Sequence, residues 1–291
     1  MNKTYVFHHD DLDGITSGLI TNEFIEDATL VSVNYEKKIN PFDIIDDKDT
    51  VIIADYSFEP DVMQKIYEMI GNKFTWIDHH VSAIKKSQRF DYKNVKGIRD
   101  LNFCGAELSY MYYVNSYLPK LLVEIGNFDM FRNFGTEDFE ESLRIMYGCM
   151  SNQEVLKRAI GIMVNNESTD SFYEFFEMAG NFILKYKKIE YKEDCDKYAY
   201  VRNIWNKRVL CMNTTEGGLG LQLIKAYNPK KHDMILTYSY NGSGWCYGFY
   251  TDKKAHPEIN CAEIAEKFGG GGHKSAAGAE TKYLIEELIE E

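Results

Sequence analysis

At 291 residues the chain is long enough for one large or two medium domains, and 44% hydrophobic with 27% charged residues is ordinary globular composition. Lysine and arginine number 33 against 45 aspartates and glutamates, so the net charge is 33 − 45 = −12, which argues against a broad phosphate-gripping surface for long duplex nucleic acid. Its 5 prolines, where average usage gives roughly 15, exclude a disordered Pro-rich linker.

No apolar run nears the ~20 residues of a membrane helix, and the opening MNKTYVFHHDD lacks the apolar core of a secretory signal. The expectation is a soluble, cytoplasmic chain with no membrane partner. From Val201 onward 11 basic residues meet 11 acidic ones, so the whole −12 lies in the first 200 residues. That surplus is a solvated surface or, in part, a bed for divalent cations. Composition does not choose between them.

Strand candidates rich in Val, Ile, Tyr and Phe occur at Thr4–His8, Thr29–Val33, Val51–Ala54 and Phe74–Ile77. Between them Gly14–Phe24 and Pro60–Ile70 read as helices, the second with proline in its first turn. Nearly all-apolar strands alternating with helices predict a parallel sheet covered on both faces. Ligands of such sheets sit beyond the C-terminal strand ends.

Residues from about Glu137 to Tyr200 read as helical, with Phe172, Phe175, Phe176, Ala179, Phe182, Ile183 and Tyr186 as a packing stripe. The charged run Lys185–Lys197 then leads to a domain boundary, giving domains of 1–200 and 201–291. In the last part, Val209–Met212 and Met234–Tyr238 are strand-like, and Asn241-Gly242 marks a hairpin turn into Trp245–Tyr250. Asn260 and Glu263 form a capping-box pattern for a helix that stops at Gly269. The six cysteines contain no C-x-x-C pair and read as reduced, mostly buried thiols.

Chemistry concentrates just after the predicted strands. His8-His9-Asp10-Asp11-Leu12-Asp13-Gly14 follows the first; alternate residues of an extended segment point one way, so His9, Asp11 and Asp13 converge and Gly14 turns the chain into the next helix. Asp55 follows the third strand and Asp78-His79-His80 the fourth. A carboxylate after a buried strand is costly without a partner, and three such placements describe a metal site with oxygen and nitrogen ligands. His8 should point away from this group as a structural residue.

These motifs resemble the DHH phosphoesterases, a family named for the triplet seen here as Asp78-His79-His80. The first cluster looks like that family's H-x-D-x-D motif, Asp55 its second motif, and Asp129 in Gly126–Arg132 its fourth. Gly269-Gly270-Gly271-Gly272-His273-Lys274-Ser275-Ala276-Ala277-Gly278 resembles the glycine-histidine motif of the DHH-associated C-terminal domain. The resemblance implies an α/β fold. A parallel-sheet DHH domain joins through a helical segment to a smaller mixed-sheet α/β domain, with the active site in the cleft between them.

It further implies two Mn2+ ions, with Mg2+ or Co2+ as substitutes. His9, Asp11 and Asp55 would hold one, and Asp13, Asp55, His79 and Asp129 the other, the pair activating a bridging hydroxide for in-line attack at phosphorus. Four carboxylates balance two divalent cations. Asp78 would orient a ligand histidine, and His80 would contact the phosphate and protonate the leaving oxygen. Gly270, Gly271 and Gly272 would supply backbone N–H groups to phosphate oxygens, with His273 beside them. Where family members acting on nucleotides often carry an arginine, this chain has Tyr250, which lacks the charged fork but can stack on a base.

The activity implied is a manganese-dependent phosphodiesterase cutting short oligonucleotides to mononucleotides, as in nanoRNases and oligoribonucleases. The alternatives are a cyclic-dinucleotide phosphodiesterase and a 3′-phosphoadenosine 5′-phosphate phosphatase. A nucleotide-sensing protein without catalysis is the reading from another class; its mark would be lost ligands, and all six are present. The oligomeric state is not legible.

Overall fold

Four strands make the first sheet: β1 (Thr4–His9), β2 (Ala28–Val33), β3 (Thr50–Ala54) and β4 (Phe74–Ile77). In this computed structural model, which describes residues 2–35, 39–133, 137–214 and 230–285, they lie in the order β2-β1-β3-β4. Every pairing is parallel, with His8 level with Ala54 and Ala54 level with Ile77. The chain leaves β1 through α1 (Leu12–Phe24) toward β2, and leaves β3 through α2 (Pro60–Ile70) toward β4. The two connections diverge, which opens a crevice beyond the C-terminal ends of β1 and β3.

Both sheet faces are buried, as all-apolar strands require. Phe7, Ile53, Phe74 and Trp76 pack with Met63 and Ile66 of α2, while Val6, Ile52 and Ile77 of the alternate face are equally enclosed. Each such side chain removed from water contributes about 1.5–3 kcal/mol. The helices α3 (Val81–Ser87), α4 (Gly105–Tyr113), α5 (Lys120–Asp129), α6 (Glu137–Ser151) and α7 (Gln153–Met163) follow. A long α8 (Asp170–Tyr198) comes next, and Leu121, Ile125, Ile145, Ile160 and Phe176 join Ile20 of α1 in a second cluster.

The chain divides into two compact units, one built on Met1–Arg132 and Glu137–Asn181, the other on Phe182–Glu291. The second unit has a six-stranded mixed sheet: β5 (Tyr200–Ile204), β6 (Lys207–Asn213), β7 (Met234–Tyr240), β8 (Trp245–Tyr250), β9 (Gly271–Gly272) and β10 (Ala276–Thr281). Their order is β5-β6-β7-β8-β10-β9, and only β6 and β7 run parallel. Helix α9 (Cys261–Glu266) lays Cys261 and Ala265 against Cys211, Leu236 and Phe249. Five cysteines are buried and Cys246 half-buried, all free.

Several local expectations need correction. Helix α1 begins at Leu12 rather than Gly14 because the Asp11 carboxylate accepts from Gly14 N at 2.9 Å and caps it. Asp13 therefore lies in a helical turn, not an extended arm. Gly14 is needed for close approach, since a Cβ there would collide with the His9 carbonyl oxygen.

The helical stripe is only half a packing face: Phe176 is fully buried, whereas Phe182 and Tyr186 are 66% and 64% exposed. Periodicity marks a face without saying what covers it. Asn260 and Glu263 bond to each other at 2.7 Å instead of to backbone N–H groups, so the capping box does not form. The Asn241-Gly242 hairpin exists with a four-residue loop, whose Asn241 Oδ1 accepts from Ser243 N and Gly244 N. His8 is buried and packs against Gly18 of α1.

Candidate metal centre

The crevice of the first unit gathers seven of the sequence-selected side chains. Asp55 follows β3 in the left-handed conformation (φ 56°), which an aspartate tolerates, and its N–H donates to Ile77 O at 2.9 Å. Its carboxylate lies in two groups of converging ligand atoms, one with His9 and Asp11 and one with His79 and His80; His79 also joins Asp13 and Asp129 in a third. His79 Nε2 stands 3.1 Å from Asp55 Oδ1, 3.5 Å from Asp129 Oδ2 and 3.6 Å from Asp13 Oδ2. His9 Nδ1 stands 2.7 Å from Asp11 Oδ2.

The backbone holds these carboxylates in place. Asp13, 2% exposed, accepts from Gly105 N and Ala106 N at 2.7 Å each, so the positive end of α4 faces it. Gly105 permits this approach: a Cβ there would collide with the Asp55 side chain. Glu107 caps α4 by accepting from Cys104 N and is gripped by both guanidinium arms of Arg132, just beyond α5, which ends at Asp129.

Asp78 is fully buried and satisfied by five donors: Ser57 Oγ at 2.5 Å, Trp76 Nε1 at 3.2 Å, His79 N at 2.7 Å, His80 N at 3.0 Å and His80 Nδ1 at 2.7 Å. It orients the His80 ring through Nδ1 and holds the His79 backbone.

Electrostatics follow from this crowding. Burial, then the Asp13, Asp11 and Asp129 charges, push the Asp55 carboxyl well above the usual carboxylate range. Burial with Asp13 and Asp11 does the same to Asp129. Burial and the His80 charge lower His79, favouring the neutral imidazole a metal ligand needs. Burial opposes the charge on His80, but Asp78 outweighs it and lifts the pKa to about 9.

The residues fit a divalent cation. Asp55 Oδ1 and Asp129 Oδ2 are buried and find no hydrogen-bond donor among the described residues. A carboxylate so placed is costly unless a cation faces it. Oxygen-rich donor sets with neutral imidazole suit such ions.

Other selected residues lie in the second unit. The glycine run is no free loop: Gly271 and Gly272 form the edge strand β9 against Gly278 and Ala277. Gly269 N, Gly270 N and His273 N donate to Glu266 O, Ala265 O and Ala276 O. The supposed bed of N–H groups is thus largely committed to the fold. Tyr250 packs beside Leu210, Met212 and Ile235, and its hydroxyl lies over Gly248 next to where Thr237 sits. Sequence reasoning assigned no role to Ser57, which follows Asp55-Tyr56, nor to Gly105, Glu107 and Arg132. The small pair Gly105-Ala106 opening a helix was the one available signal.

The fold is similar to that of solved DHH-domain proteins, and the acidic and imidazole clusters of this chain stand where such a sheet binds ligands. Three solved structures carry the comparison. The DHH domain of a protein described as belonging to a family of ribosomal proteins is 14% identical, with a TM-score of 0.60, 99% of this chain and 85% of that one being covered. Thermus thermophilus RecJ in complex with Mn2+ is 11% identical, with a TM-score of 0.55, covering 96% of this chain and 49% of that one.

The pGpG-specific phosphodiesterase PggH of Vibrio cholerae is 13% identical, with a TM-score of 0.52, covering 99% and 95%. Among curated proteins, an uncharacterized protein of Acanthamoeba polyphaga mimivirus is 23% identical over 235 residues, 78% of this chain. The chain spans about half the length of that relative, 52%. No family model matches the chain. Among the described residues no helix is long and apolar enough to cross a membrane.

Proposed function

We propose that the chain is a divalent-metal-dependent phosphodiesterase acting on short oligonucleotides or dinucleotides, with manganese as its ion. The observation that carries this reading is the overlap of the carboxylate and imidazole groups at Asp55 and His79, with buried carboxylate oxygens lacking donors among the described residues. The DHH-domain fold, shared with a manganese-bound RecJ and a pGpG phosphodiesterase, supports it.

In this reading His9, Asp11 and Asp55 hold one ion, and Asp13, Asp55, His79 and Asp129 the second. Bound there, the ions supply positive charge and Lewis acidity toward water and the scissile phosphate. His80, its Nδ1 held by Asp78, has Nε2 left to bind a phosphate oxygen or deliver a proton to the leaving oxygen. Asp55, left-handed and flanked by β1 and β4, is the residue common to both ion sites. In the second unit His273 is assigned to substrate binding, whereas Gly270, Gly271 and Gly272 build the sheet edge and Tyr250 packs on the sheet face.

A long strand needs a basic track along its backbone. The residues from Val201 onward have no net positive charge, and the first 200 carry the whole −12. Short substrates suit such a surface. The test is hydrolysis by chelator-stripped protein, with Mn2+, Mg2+ or Co2+ restored. The panel is a dinucleotide, a strand of about 25 nucleotides, cyclic dinucleotides, 3′-phosphoadenosine 5′-phosphate and pyrophosphate. Metal-dependent cleavage fastest on the dinucleotide is expected. Binding of dinucleotide without hydrolysis under any ion would make the chain a sensor, and a faster long strand would overturn the length preference.

A further inference from the structure

The aromatic residues at the mouth of the metal centre carry an inference about what lies on the other side of the phosphate. Tyr35, two residues beyond β2, stacks on Tyr56 with ring centroids 4.7 Å apart and planes at 28°. Tyr56 follows Asp55 directly and is buried, whereas Tyr35 is 47% exposed. The Tyr35 ring is 5.5 Å from that of His9 and 6.0 Å from that of His80.

Ser57, the residue after Tyr56, donates through its Oγ to Asp78. An exposed surface tyrosine is ordinary. One stacked on a buried ring beside the candidate ligands, and still half exposed, is a preformed stacking surface that costs little entropy to use.

We propose that Tyr35 is a specificity-determining residue that stacks on the nucleobase adjoining the phosphate at the metal centre. The proposal rests on the phosphodiesterase reading and adds that the substrate is recognised through a base, not through its phosphates alone. Every base has a π face, so the contact selects nucleotides from other phosphate esters while tolerating any sequence. Tyr56, beneath it, sets the height of the platform above the ligands. Ser57, next in the chain after Tyr56, bonds the Asp78 carboxylate that holds His80.

The experiment measures kcat/KM for a dinucleotide and for its two abasic counterparts, each lacking one base, in wild type and in Tyr35→Leu, Tyr35→Phe and Tyr35→Trp. The expected result is a loss of about 5- to 150-fold in the preference for the intact dinucleotide over one abasic form in Tyr35→Leu. The change should fall mainly in KM, with the preference restored in the Phe and Trp variants. Equal falls on all substrates would make Tyr35 a scaffold for Ser57 and Asp78 and overturn the proposal, as would an unchanged preference. A wild type inert toward every substrate in the presence of Mn2+ would instead overturn the phosphodiesterase reading, and this one with it.

Discussion

Asp78 Oδ1 lies 2.7 Å from His80 Nδ1, and the same carboxylate takes four further donors from Ser57, Trp76 and the backbone of His79 and His80. A fully buried carboxylate is stable only in such company. The arrangement fixes one imidazole's tautomer and direction beside a cluster of acids. His80 is therefore aimed before any substrate arrives.

Replacing Asp78 by Asn keeps the volume and removes the charge that holds His80. Activity should fall by about 10- to 100-fold, as for other outer partners of a metal site, while manganese content measured by elemental analysis stays near that of wild type. Loss of the metal together with the activity would make Asp78 part of the ion-binding set instead.

Asp55 contributes to more of the ligand groups than any other carboxylate of the crevice, so Asp55→Asn should cost more than the Asp78 change and abolish tight manganese binding in titration calorimetry. Thermal unfolding adds an opposite sign. Without metal, removing a charge that burial and the Asp13, Asp11 and Asp129 carboxylates disfavour should raise the melting temperature above wild type. With manganese at about 100 times its dissociation constant, wild type should gain roughly 2.7 kcal/mol and overtake the variant. A variant less stable than wild type in both conditions would contradict the crowded-carboxylate account.

Glu141 ties three helices together away from the crevice: it accepts from Lys120 of α5 at 2.8 Å and from Tyr173 of α8 at 2.5 Å. Those two bonds hold its carboxyl below the ordinary glutamate value against a smaller opposing effect of burial. A lowered folded-state pKa gives stability that is present above the unfolded pKa and is lost as pH falls through the folded one. Glu141→Gln should therefore destabilise by about 1 kcal/mol at neutral pH. The difference should shrink toward zero on acidification below the glutamate range. Denaturant titrations across pH check this; a difference independent of pH would assign the effect to packing alone.

His273→Ala should lower turnover by about 10- to 150-fold, the value of one charge-assisted contact to a phosphate, with manganese content unchanged. The second unit's sheet should also stay intact, because the variant keeps the His273 backbone N–H that closes the turn onto Ala276. Missing manganese in the variant would place His273 among the ligands.

The sequence by itself determined the parallel sheet and singled out the side chains that gather in its crevice. Val51–Ala54 is apolar on both faces and Phe74–Ile77 nearly so, so both had to be strands of a sheet covered on its two faces. Asp55 and Asp78-His79-His80 follow them directly, and strand ends are where such a sheet leaves room. What it misjudged were local matters decided by distant partners. Asp13 looked like part of an extended arm because nothing nearby in sequence shows that α4 will direct Gly105 N and Ala106 N at it across 92 and 93 residues.

The Phe172–Tyr186 stripe has helical period throughout, yet only tertiary contact determined that Phe176 is covered and Phe182 exposed. The four glycines carry no side-chain signal, so pairing with β10 was invisible until the hairpin closed. Tyr35 and Tyr56 are 21 residues apart and meet only because β2 and β3 flank β1. Periodicity and chemistry are written along the chain; which surfaces are covered, and which carboxylate each helix end faces, depends on contacts between segments far apart in sequence.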